Sequence, residues 1–299
     1  MKQLTVISGK GGTGKTILTA SFAVLAESKV MADCDVDAAD LHLVLHPTVM
    51  ETHEFEEGER AVIDRELCTE CGRCRELCRF EAISQEFIVD PVSCEGCRVC
   101  HYACPENAIR MEKNICGEWY ISKTRYGPMV HARLGIAEEN SGKLVTLVKQ
   151  KAGELASNEN LELVIIDGPP GIGCPVIASL AGVDVALVVT EPTVSGVHDL
   201  ERVIGVADHF GVKGAAVINR YDINPEISRE IEGWCDKKGV PVLGKIPFDK
   251  IVTEAVVAGT PVVEYSQNSV SAEIESIWRG VVRLLAIEHG AASQDNNEP

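Results

Sequence analysis

Residues Leu4 to Ser8 form a short apolar run, and Gly9-Lys10-Gly11-Gly12-Thr13-Gly14-Lys15-Thr16 follows it directly. Ile17, Leu18, Ala20, Phe22, Ala23 and Leu25 then recur with helical spacing. Strand, glycine loop, Gly-Lys-Thr and helix, in that order, is the full context of a phosphate-binding loop. The glycines let backbone N–H groups turn inward on phosphate oxygens, and the helix N-terminus adds a favourable dipole. Gly9, Lys10, Gly11, Gly12, Thr13, Gly14, Lys15 and Thr16 are therefore expected to hold ATP. Lys15 would reach the β- and γ-phosphates and Thr16 would ligate Mg²⁺.

Further apolar strands follow. Val30 to Asp35 closes on two aspartates, Asp33 and Asp35. Leu161 to Ile166 runs into Asp167-Gly168-Pro169-Pro170-Gly171. Ala186 to Thr190, Ala215 to Asn219 and Val242 to Ile246 complete the series. Continuous apolar strands alternating with helices predict an α/β fold, a mostly parallel sheet covered by helices on both faces. Asp37 and Asp40 read as caps of the next helix. Tyr126 to Leu134 reads as a strand re-entering the sheet, with His131 structural. Glu139 to Lys143 reads as a helix start, with Ser141 as its cap. Ile274, Ile277, Trp278, Val281, Leu284 and Leu285 share one helical face, expected to pack on the core.

Twelve cysteines form the second signal. Eight of them make one pattern written twice, Cys68-x2-Cys71-x2-Cys74-x3-Cys78 and Cys94-x2-Cys97-x2-Cys100-x3-Cys104-Pro105. This is the run by which bacterial ferredoxins hold [4Fe–4S] clusters, the fourth cysteine of each run reaching the other cluster. The expectation is two [4Fe–4S] clusters. One would take Cys68, Cys71, Cys74 and Cys104, and the other Cys94, Cys97, Cys100 and Cys78. The first run lacks the proline that usually follows its last cysteine. Cys34, Cys116, Cys174 and Cys235 are expected to be small core residues, Cys174 being notable for its place after the Pro-Pro-Gly loop.

Lys10, at the second position of the glycine loop, marks a resemblance to the deviant Walker A group of P-loop ATPases, the MinD/Mrp type, here with an inserted 2[4Fe–4S] ferredoxin domain. The resemblance implies that Lys10 crosses a dimer interface to the partner's nucleotide. It implies that Asp35 orients or polarises the attacking water, with Asp33 in support, as in the MinD/Mrp group and the nitrogenase iron protein. It makes Asp167 the Walker B acid, holding Mg²⁺ through its water shell, and Asn219 the adenine contact. The catalytic set is then Lys10, Lys15 and Asp35. The expected boundaries are residues 1–58 and 116–290 for the ATPase domain, 59–115 for a small α+β ferredoxin-like insertion, and 291–299 for a disordered tail.

A net charge of -17 argues against a sequence-independent nucleic-acid binder and against docking on anionic lipid. No apolar run reaches the length of a membrane span, and the N-terminus carries no secretory signal, which reads as a cytoplasmic protein. The favoured function is an ATPase that couples the nucleotide state of a homodimer to electron transfer through the clusters, toward a redox or acceptor protein. The alternatives are an iron–sulfur carrier of the Mrp type and a redox-sensing, MinD-like regulatory or positioning switch.

Overall fold

The computed structural model describes residues 1–135 and 141–286. Glu139 and Asn140, expected to open a helix, and the tail at 291–299 lie outside the described residues.

In chain order the elements are β1 (Lys2–Ser8), α1 (Lys15–Leu25), β2 (Lys29–Asp33), α2 (Leu41–Leu45), β3 (Thr48–Ile63), α3 (Arg73–Leu77) and α4 (Val99–Ala103). Then come β4 (Ile109–Thr124), β5 (Gly127–Leu134), α5 (Ser141–Asn158), β6 (Leu163–Pro170), α6 (Cys174–Leu180), β7 (Val185–Thr190) and α7 (Val194–His209). The chain continues through β8 (Lys213–Asn219), α8 (Pro225–Lys238), β9 (Val242–Ile246), α9 (Lys250–Val257), α10 (Val262–Tyr265) and α11 (Ser269–Leu285). One sheet joins the strands in the order β3-β4-β5-β2-β6-β1-β7-β8-β9. From β5 to β9 every pairing is parallel, whereas β3–β4 and β4–β5 are antiparallel.

The central strands are mostly apolar because both faces are covered. Side chains alternate between the faces along each strand. Leu4 and Val6 of β1 join a core with Leu18 and Phe22 of α1 and Ile274, Ile277 and Val281 of α11. Ile7 joins the opposite core, with Val145 and Val148 of α5, Leu200 of α7 and Ile231 of α8. The apolar face of α11 is thus spent on the core, as expected. Phe22 and Trp278 meet there with ring centroids 5.0 Å apart. Among the described residues no helix is long and apolar enough to cross a membrane.

Cys34, Cys116 and Cys235 are buried in the core, as expected. Cys174 is not; it is exposed at the start of α6. Asp40 occupies the N-cap position of α2, but its side chain makes no capping bond. His131 is half-buried and structural, its Nε2 2.8 Å from Ser122 Oγ and its ring stacked on Tyr120. Burial holds its imidazole down at about 4, so it stays neutral at physiological pH.

The eight patterned cysteines lie on an appendage at the far end of the β3–β4 hairpin. Glu59 and Ile115 fall inside these two strands, which run on without a break from the main sheet. Between them, α3, α4 and a bridge from Ile83 to Val89 surround a small core of Ala61, Cys74, Ile83, Phe87 and Ile109. Cys68, Cys71, Cys74 and Cys104 line a cavity of about 340 Å³, and Cys78, Cys94, Cys97 and Cys100 one of about 370 Å³. Burial pushes the Cys74 thiol up, and the Cys100 thiol to about 11. Among the described residues no group of three or more His, Cys, Asp or Glu side chains is arranged to hold a metal ion. That finding corrects the expectation of two [4Fe–4S] clusters and of a ferredoxin-like inserted domain. Cys74 lies in the satellite core, Cys68, Cys78, Cys94, Cys100 and Cys104 pack against it, and Cys71 and Cys97 are exposed; no electron-transfer role or redox partner is assigned to them.

Phe22→Ala removes the largest fully buried side chain from between α1 and α11. It is expected to destabilise the protein by about 3–5 kcal/mol, read as a lower urea midpoint in tryptophan fluorescence.

Candidate nucleotide site

The site forms where parallel strands end, because each strand there hands the chain to a loop before its helix. Central β1 ends in the glycine loop, which opens onto the free N-terminus of α1, where no side chain caps the first turn. Gly12 and Gly14 adopt φ of 77° and 93°, a left-handed backbone that a side chain would strain. Gly14 is constrained twice. A Cβ there would stand 2.5 Å from Asn219 Nδ2, which donates to the Thr13 carbonyl at 2.8 Å. Asn219, at the end of β8, thereby presses against the loop from the side.

β2 and β6 pair in register so that Asp33 lies beside Asp167 at their carboxyl ends. Both carboxylates are fully buried, and Asp35 is nearly so. Lys15 is only 5% exposed and places its Nζ 3.8 Å from Asp35 Oδ2. Thr16 donates to Asp167 Oδ2 at 2.7 Å. Thr19, one helical turn on, lies 3.0 Å from Asp167 Oδ1 and 2.9 Å from the Lys15 carbonyl, so it braces the same carboxylate. Asp33 accepts the Asp35 N–H at 3.2 Å through Oδ1, while its Oδ2 has no partner.

Three buried acids thus gather near one lysine, which acts on Asp35 and Asp167. Burial raises Asp33 well above the usual carboxylate range, with Asp167 adding like-charge repulsion. Burial also raises Asp167, against the opposing pull of Lys15 and Thr16. Asp35 is pushed up to about 6, again chiefly by burial and against Lys15. Such a set is short of positive charge. The Asp33 Oδ2 and Thr13 Oγ1 atoms are buried without partners, and every donor is a hard oxygen. This fits Mg²⁺ carried in with phosphates, because that ion takes one or two protein oxygens and completes its shell with phosphate and water. It also agrees with the finding that the described protein groups alone form no metal cage.

Beside the loop lies a cavity of about 270 Å³ lined by Gly14, Ile17, Leu18, Asn219, Ile246 and Val270, among others. It is apolar apart from the Asn219 amide, which suits a flat heteroaromatic base with one edge to pair. The loop's other lysine, Lys10, is 36% exposed and paired elsewhere, with Glu191 on the turn after β7.

Reading the residues in sequence brought together the loop, Asp33, Asp35, Asp167 and Asn219, and the fold places them around one site. It passed over Thr19 and Glu191. Thr19 had a signal, since positions 16 and 19 share a helical face. Glu191 had none, being far from Lys10 in sequence.

Gly14→Ala is expected to weaken nucleotide binding by at least about tenfold in a titration with fluorescent ATP, because the added methyl group meets Asn219 and the backbone is left-handed.

Comparison with known proteins agrees with this geometry. The chain matches the family described as CobQ/CobB/MinD/ParA nucleotide binding domain over residues 4–262. The Methanocaldococcus jannaschii protein MJ0578 is 34% identical over 226 residues, 74% of this chain and 79% of its own length. The septum site-determining protein MinD of Neisseria meningitidis is 27% identical over 299 residues, covering 95% of this chain and 91% of that one. Among solved structures, MinD of Pyrococcus horikoshii complexed with Mg-ADP aligns over 95% of this chain and 96% of its own with a TM-score of 0.57. At 19% identity that likeness is one of fold. Because the family match spans most of the sequence, this chain belongs to the CobQ/CobB/MinD/ParA nucleotide-binding family, and it is a P-loop ATPase.

Proposed function

We propose that this protein is a nucleotide-dependent switch of the MinD type: two copies associate when ATP is bound and separate after a slow hydrolysis. The observation that carries the reading is the division of labour between the loop's two lysines. Lys15 is buried against the acids of its own subunit, and Lys10 stands at the rim, partly exposed. A second copy facing this rim meets Lys10 before any other cation of the loop. The likeness to MinD of Neisseria meningitidis over almost the whole chain supports a switch of this type.

Hydrolysis in such a site rests on positioning and charge neutralisation. The loop N–H groups from Gly9 to Gly14 cradle the phosphates, and Lys15 balances their charge. Thr16 and Asp167 are the residues that would hold Mg²⁺, which would supply charge neutralisation for the phosphates. Asp35 takes a hydrogen bond from the attacking water and orients it, and Asp33 supports Asp35 through its backbone N–H. Lys10 of the second copy completes the charge balance on the transferring phosphoryl group. Asn219 fixes the base, and so the register of the phosphates below it.

Association is tested by sedimentation velocity with a non-hydrolysable ATP analogue and with ADP. The analogue is expected to give a dimer and ADP a monomer; a monomer in both would overturn the reading. Lys15→Ala is expected to lower turnover by about 10²–10³-fold. The pH profile carries a sign. Asp35 acts as a carboxylate and loses its proton near pH 6 in the free protein, so kcat/KM is expected to rise as pH increases through about 6. Asp35→Asn is expected to remove both that rise and most of the activity.

A further inference from the structure

Lys10 is tethered. Its Nζ lies 3.5 Å from Glu191 Oε2 and donates to Thr193 Oγ1 at 3.4 Å. Glu191 is only 12% exposed, and its other oxygen accepts from Arg220 at 2.7 Å. The backbone N–H of Arg220 donates to Asn219 Oδ1 at 3.0 Å, and Asn219 in turn donates to the glycine loop. Glu191 therefore stands between two cations, Lys10 and Arg220. The turn that carries Glu191 is tightly built. Gly196 N donates to Thr193 Oγ1, Thr190 Oγ1 donates to the Gly196 carbonyl, and a Cβ on Gly196 would lie 2.2 Å from the Glu191 carbonyl oxygen.

We propose that Glu191 is a positioning residue that latches Lys10 to its own subunit until a second copy docks, and that Arg220 sets the strength of the latch by competing for the same carboxylate. The inference rests on the dimer reading above, in which Lys10 serves the partner's nucleotide. A carboxylate shared by two cations holds each less firmly than it would hold one. When Lys10 departs, Glu191 keeps Arg220 and is not left as an unpaired, largely buried charge, so release avoids the penalty that a lone pair would incur.

The test measures ATP turnover against protein concentration. For Glu191→Gln, the concentration giving half-maximal specific activity is expected to fall about two- to fivefold, the range for a partly exposed ion pair, with KM for ATP unchanged. For Arg220→Ala it is expected to rise by a similar factor, because Glu191 then has Lys10 without a competitor. A merely structural role for this cluster would move both variants in the same direction or change KM, and either outcome overturns the latch, as does an unchanged threshold in Glu191→Gln. Lys10→Ala separates the two levels. If it hydrolyses ATP like the parent protein, the dimer reading fails. If it is inactive while Glu191→Gln keeps the parental threshold, the latch alone fails.

Discussion

Three buried carboxylates facing a single lysine set the character of this molecule. Asp33, Asp35 and Asp167 are drawn from two neighbouring strands, and burial is the main cause that raises each; like-charge repulsion adds to it at Asp33 and Asp35, and Lys15 opposes it at Asp35 and Asp167. Without ligand the arrangement is frustrated. A divalent ion held beside Thr16 and Asp167 would offset part of that negative charge, while Lys15 and the loop N–H groups would face the phosphates.

The sheet exists to hold that frustration in place. β1 is flanked by β6 and β7, and β2 by β5 and β6, so the acids, the glycine loop and the Glu191 turn all emerge from one edge of the sheet. Two dense cores cover its faces and leave the strand ends little freedom to relax. Asn219 and Thr19 act at the next level: one pins the loop and the other braces Asp167. The β3–β4 pair runs on past the carboxyl end of β5 and carries the cysteine-lined appendage out beyond this same edge. Because its strands continue those of the sheet, the appendage is attached through paired backbone and not through a loose linker.

The ATPase portion was legible because its signals are local. Glycines, a Gly-Lys-Thr end and aspartates at strand exits each report on a few adjacent residues, and parallel strands announce themselves as unbroken apolar runs. What depends on distant pairing was not legible. β3 reads as an acidic, irregular stretch, and it is a strand because β4 pairs with it. Glu191 meets Lys10 only after β1 and β7 are brought side by side. Cys174 follows an apolar-looking loop yet is exposed, since the turn before α6 points it outward from the cores. The doubled cysteine spacing was the most specific pattern in the chain, and the function drawn from it did not survive. Spacing along the chain gives the order of thiols but not their arrangement, and no metal-holding group of three or more forms among the described residues.

The central claim is that Lys10 acts on the nucleotide of a second copy, and mixing two inactive variants tests it most directly. Lys10→Ala keeps a complete pocket but offers no lysine. Asp35→Asn offers the lysine but cannot orient water. In a mixed dimer the pocket of the first receives Lys10 from the second. Mixing is predicted to restore ATP turnover well above the sum of the two variants alone. A mixture no more active than that sum would contradict the account.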